Sequence, residues 1–166
     1  MIELNSKTQQ DFLNREWVQR LLEAGVNMSD AKYCIAWDSK TDIDYIFYGR
    51  PDDLFDKYHI YLLMNPPISK YHILPTYTVS ELLYKLHEWI YPTIEGEEYF
   101  GGLKVSKDAP FYFAYYDLKN KEGKGNTEEF YAEAEYPIES LAMLLIQSHK
   151  RDIGIKRKDT GDISSK

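Results

Sequence analysis

Cysteine, long apolar runs and positive charge are all scarce in this chain. A single cysteine, Cys34, stands among 166 residues, which excludes an internal disulfide framework. It lies in an apolar run and reads as a small buried hydrophobe rather than a reactive thiol. No stretch approaches the roughly 20 apolar residues of a membrane-spanning helix, so no membrane partner is expected. The opening MIELNSKTQQ has neither a basic region nor an apolar run and does not read as a secretory signal. Together these absences lead to the expectation of a cytoplasmic protein. Cations are the third shortage: 20 Lys and Arg against 27 Asp and Glu give a net charge of −7. The deficit is uneven. Residues 149–166 hold six Lys and Arg and three Asp, which leaves 14 cations against 24 carboxylates, or −10, on the rest. Nucleic acid is bound by neutralising its phosphates with cations. The body is therefore expected not to bind it, and residues 151–166 read as a flexible basic tail.

What is present is the composition of a globular chain, 43% hydrophobic and 28% charged, and its length suits one domain, expected over residues 1–150. Leu13, Trp17, Leu21 and Ala24 recur at helical spacing, with Thr8 as cap and Gly25 as stop, predicting a helix over 8–24. The runs KYCIAW and IDYIFYG alternate as strands around the polar turn DSKTD. Residues 57–64 read as a strand that Asn65-Pro66-Pro67 must end. Thr78 and Glu81 form a capping box before the stripe Val79, Leu82, Leu83, Leu86, Trp89 and Ile90, predicting a helix over 78–90 that places Trp89 in the core. A meander follows, with strands near 99–106, 110–118 and 128–135. Phe111, Phe113 and Tyr115 face one side of it, and Tyr112, Ala114 and Tyr116 the other. Pro137 opens a last helix over 137–149. The expectation is an α+β fold, with an antiparallel sheet of about five strands packed on one face by three helices.

Patterns that carry chemistry are few. KYHI occurs twice, placing His59 and His72 thirteen residues apart. If 57–64 and 70–74 paired as a hairpin, one register would put both histidines on one face and the neighbouring register on opposite faces. His59 and His72 are thus the only candidate site residues. No further ligand joins them, and no metal or cofactor is expected. Asp38, Asp42 and Asp44 alternate as in a calcium loop but lack its central glycine and closing glutamate. Glu95, Glu97 and Glu98 would serve acid catalysis only if one were buried with a raised pKa. Neither a phosphate loop nor a nucleophile elbow occurs. The fifteen tyrosines suit half-buried sheet faces and binding surfaces alike.

From Pro75 onwards the chain has a particular cast. LPTYTVSELLYKLHEWI leads, tyrosine-rich strands follow, and EFYAEAEYPIESLAMLLIQSHK closes. This stretch of roughly ninety residues resembles a loose group of small uncharacterised proteins encoded by bacteriophages and prophages. The shared motifs are structural rather than catalytic, so no residue inherits a role. The resemblance implies a phage or mobile-element origin and action inside a bacterial host. The residues and the resemblance together lead to the expectation of a non-enzymatic protein-binding module whose partner is a host or phage protein. Two alternatives stay open: an acidic nucleic-acid mimic that inhibits a host defence or DNA-binding protein, and an enzyme whose site gathers distant residues such as His59, His72 and a carboxylate.

Overall fold

The computed structural model describes residues 2–5, 8–38, 40–50, 72–151 and 155–157. The fold is α+β, with three helices among these residues. Its contacts gather in two compact units, Met1–Glu81 and Leu82–Lys166.

In the first unit, β1 (Ile2–Glu3), β2 (Tyr33–Trp37), β3 (Asp44–Tyr48) and β4 (His72–Thr76) form an antiparallel sheet in the order β1-β3-β2-β4. β2 and β3 are the hairpin expected from KYCIAW and IDYIFYG, with Trp37 opposite Asp44 and Tyr33 opposite Tyr48. Period-two alternation splits this sheet into two apolar faces. Ile35 and Ile46 pack with Phe12, and Cys34, Ala36 and Phe47 pack on the other side.

The first helix, α1 (Arg15–Glu23), is shorter than expected. Asn14, not Thr8, caps it, its Oδ1 accepting from the Trp17 N–H at 3.1 Å. The Thr8 hydroxyl instead donates to the Glu3 carbonyl and accepts from the Asn5 N–H. Leu13 is held outside the helix: its N–H donates to the Tyr77 carbonyl at 3.0 Å, and its carbonyl accepts from the Thr76 hydroxyl at 2.8 Å. A backbone with both polar groups satisfied across the chain gains nothing by winding into a helix. At the other end Gly25, at φ 84, lets the Val26 N–H turn back to the Leu21 carbonyl.

The helix expected over 78–90 is α2 (Val79–Lys85). Its capping box forms as read: Thr78 N–H donates to Glu81 Oε2 at 2.9 Å, and Glu81 N–H to the Thr78 hydroxyl at 3.3 Å. The helix ends four residues before Trp89, which opens a strand.

The second unit carries β5 (Trp89–Ile94), β6 (Glu97–Asp108), β7 (Phe111–Asn120), β8 (Tyr131–Ala134), α3 (Pro137–Lys150) and β9 (Ile155–Arg157), with sheet order β8-β7-β6-β5-β9. The expected single sheet of about five strands is therefore corrected to two sheets, because β2 and β3 pair with β4 and β1 rather than with the meander. β5 and β6 turn through Glu95 and Gly96, both at positive φ, the conformation of a tight two-residue hairpin. Gly101 in β6 lies so close to β7 that a Cβ there would sit 2.3 Å from the Asp117 carbonyl oxygen.

The inner face of this sheet is the core of the unit. Ala114, Tyr116 and Leu118 of β7 and Ala132 of β8 are buried, as are Ile138, Leu141, Ala142 and Leu145 of α3, which packs on β7 and β8. The Tyr116 hydroxyl is satisfied by the His87 carbonyl at 2.7 Å. Of the residues read as a basic tail, Ile155–Arg157 pair with β5.

Candidate binding face

The outer face of the second sheet follows from strand alternation. In β7 the even residues point to the core, so Phe111, Phe113, Tyr115, Asp117 and Lys119 point away from it. The ladder then fixes their neighbours. In β8, Tyr131 stands opposite Tyr115 and Glu133 opposite Phe113. In β6, Phe100, Gly102, Lys104 and Ser106 stand opposite Lys119, Asp117, Tyr115 and Phe113. In β5, Trp89 stands opposite Gly102, with Tyr91 two residues on along the same face.

Seven aromatic residues thus share one sheet face: Trp89, Tyr91, Phe100, Phe111, Phe113, Tyr115 and Tyr131. Four of them are well exposed, Trp89 at 41%, Phe100 at 44%, Phe111 at 41% and Tyr131 at 38%, and the other three are half-buried. Scattered exposed apolar residues are ordinary on a protein surface, but a contiguous set is not. Tyr131 is the centre of one cluster, its ring 5.8 Å from Phe113 and 6.2 Å from Tyr115. Partial desolvation, then the nearby Glu133 carboxylate, raises the Tyr131 pKa. Trp89 lies against Gly102, where a Cβ would meet its ring at 3.4 Å. Its expected place in the core is corrected accordingly: a side chain that continues a helical stripe in sequence changes face once the chain becomes a strand. Along β6, β7 and β8 the charged residues of the face are Lys104 and Lys119 against Glu98, Asp108, Asp117 and Glu133, an acidic excess on these strands.

The face continues into a shallow recess of about 380 Å³ lined by Tyr91, Glu98, Tyr99, Phe100 and Lys121. Its wall is held by Asn120, whose Oδ1 accepts from the Glu122 and Lys124 N–H groups and whose Nδ2 donates to Glu97 at 2.5 Å. The Tyr99 hydroxyl donates to the same carboxylate at 2.8 Å. These bonds, Tyr99 first and then Asn120, hold the Glu97 carboxyl below its usual range. That is the opposite of what a general acid needs, so Glu97 does not meet the condition set for the Glu95–Glu98 cluster.

His72 opens β4 and is exposed, its ring stacked on Trp37 at 5.3 Å. β4 pairs with β2. His59, and with it the strand read over 57–64, lies outside the described residues. Trp37 also carries Arg15, whose Cζ lies 5.2 Å from the ring centre. Arg15 bridges Asp42 and Asp44. Asp44 Oδ1 is 2.9 Å from Arg15 Nε, an ion pair without the alignment of a hydrogen bond. Burial pushes the Asp44 carboxyl up, and Arg15 pulls it back. Asp38, buried, accepts from the Lys40 N–H. The three aspartates that alternate in the sequence thus hold a guanidinium and a turn. Among the described residues no group of three or more His, Cys, Asp or Glu could hold a metal ion, and no helix is long and apolar enough to cross a membrane.

A second groove, about 420 Å³, lies in the first unit between Leu22, Val26, Met28, Ala31, Arg50 and Pro75. It is apolar apart from Arg50, Asn27 and Ser29 and has no arrangement of groups for chemistry. No family model, characterised protein or solved structure matches the chain.

Proposed function

We propose that the chain is a non-enzymatic protein-binding module that docks its partner on the outer face of the second sheet. The observation that carries this reading is the set of seven aromatics on a face whose opposite side is the covered core. Aromatic side chains with exposed rings supply large contact area at small loss of side-chain freedom, and such residues dominate interface energetics. The acidic excess on the face and the −10 of the body favour a protein over a nucleic acid. The resemblance to phage-encoded proteins supports a host or phage protein inside a bacterial cell as that partner.

Site-specific photo-crosslinking tests the reading. A photoreactive phenylalanine analogue at Phe111, on the face, is compared with the same analogue at Leu22 in α1, each expressed in a bacterial host. The expected result is a discrete protein adduct from Phe111 that Leu22 does not give. The same adducts from both positions, or none from Phe111, would overturn the docking role.

A further inference from the structure

We infer that the partner presents an arginine, whose guanidinium lies on the Phe113, Tyr115 and Tyr131 cluster beside Glu133. This rests on the docking role proposed above and specifies its partner's chemistry. Three arginines of the chain are held in one common way, with a ring under the guanidinium and a carboxylate at its rim. Arg15 lies over Trp37 and pairs with Asp42 and Asp44. Arg20 lies 4.5 Å from the Trp17 ring centre and pairs with Glu16 at 2.5 Å. Arg151 lies 5.4 Å from the Phe130 ring centre and pairs with Glu129.

The outer face repeats the ring and the carboxylate. Glu133 stands across the ladder from Phe113, and its Oε2 lies 3.4 Å from the Tyr131 hydroxyl. Among the described residues no guanidinium or ammonium is seated on these three rings. Lys104 neighbours Tyr115 across the ladder, and Asp117 and Glu133 outnumber it. A guanidinium suits the remaining place better than an ammonium. It is planar and weakly hydrated, so it stacks on a ring while its N–H fork reaches the adjacent carboxylate. The acidic body draws a basic segment towards the face and repels an acidic one.

The test titrates the full chain with two end-blocked peptides of equal length and net charge, one carrying arginines and the other lysines, followed by fluorescence anisotropy. A single-stranded RNA of similar length is the third titrant. The arginine peptide should bind about tenfold more tightly than the lysine peptide. Tyr131→Ala should weaken it about tenfold and Glu133→Gln about threefold, while Tyr131→Phe, which keeps the ring, binds as the parent does. Glu23→Gln removes the same charge from an exposed position of α1 and should leave binding unchanged. Equal affinity for the two peptides, or equal losses from Glu133→Gln and Glu23→Gln, would reduce the effect to net charge and overturn the inference. Tighter binding of the RNA would overturn it in favour of a nucleic-acid surface. A crosslink from Phe111 together with no binding of the arginine peptide would leave the docking face standing and remove arginine as its ligand.

Discussion

Gln147 of α3 clasps the backbone of Tyr131: its amide oxygen accepts from the Tyr131 N–H at 3.1 Å, and its amide nitrogen donates to the Tyr131 carbonyl at 2.7 Å. β8 is an edge strand, and those two groups point away from β7. One glutamine side chain therefore supplies what a neighbouring strand would supply, on an edge otherwise open to pairing with another chain. Gln147→Ala should cost about 1 kcal/mol and speed amide exchange at Tyr131. Unchanged exchange at that amide would mean the clasp does not persist in solution.

Glu81 does more than close a capping box. Its carboxylate accepts from the Thr78 N–H and hydroxyl, and from the Lys32 N–H at 2.8 Å. Glu81→Ala leaves three donors without this acceptor and should cost about 2 kcal/mol. Thr78→Ala removes only the cap and should cost about 1 kcal/mol. Denaturant titration of the two variants measures the difference, and equal losses would show that the bonds from the Lys32 and Thr78 N–H groups add nothing beyond the cap.

Neighbouring glycines of β6 should respond very differently to a methyl group. At Gly101 the new Cβ would meet the Asp117 backbone, which cannot move without parting β6 from β7. Gly101→Ala should therefore cost about 3 kcal/mol or more. At Gly102 the nearest atoms belong to the Trp89 ring, at ordinary contact distance and on the exposed face. Gly102→Ala should cost about 1 kcal/mol or less. Thermal melts of the pair decide this, and similar losses would show that the ring is as immovable as the backbone.

Burial pushes the Cys34 thiol from its ordinary 9.0 up to about 12. Below the lower value the thiol keeps its proton folded and unfolded alike, and its contribution is fully present. As pH rises from there towards the upper value, the unfolded thiol ionises while the folded one holds its proton, so that contribution is progressively lost. Burial, then the Asp30 carboxylate, also raises the Tyr77 pKa, which acts in the same direction. The denaturation midpoint should fall between about pH 8 and about pH 10.5, and less steeply in Cys34→Ala. A thiol reagent should modify Cys34 only in denaturant, and rapid modification of the folded chain would contradict its burial.

Much of the fold could be read from local patterns. The Thr78–Glu81 box, Pro137 at the start of α3, the β2–β3 hairpin and the meander each depend on residues close in sequence. The misread elements depend on distant partners. Thr8 looks like a cap until Glu3 and Asn5 take its hydroxyl, and Leu13 fits a helical stripe until Tyr77 and Thr76 take its backbone. Trp89 continues the stripe of Leu82 and Leu86, yet Ile90 is buried as a strand residue opposite Gly101. The aromatic outer face was half legible. The alternation of Phe111, Phe113 and Tyr115 with Tyr112, Ala114 and Tyr116 gives two faces of similar hydrophobicity. Only the packing of α3 on β7 and β8 decides which of them meets water.

The pairing of β9 with β5 sets Arg157 beside Ile90, the widest separation along the chain of any ladder contact described. Closing so long a loop costs entropy that three paired residues return only partly. This seam should be the last part of the sheet to zip during folding and the first to part during unfolding. Before the one and after the other β5 presents a bare rim, so the hazard of mispairing in this unit is one of timing as well as of structure.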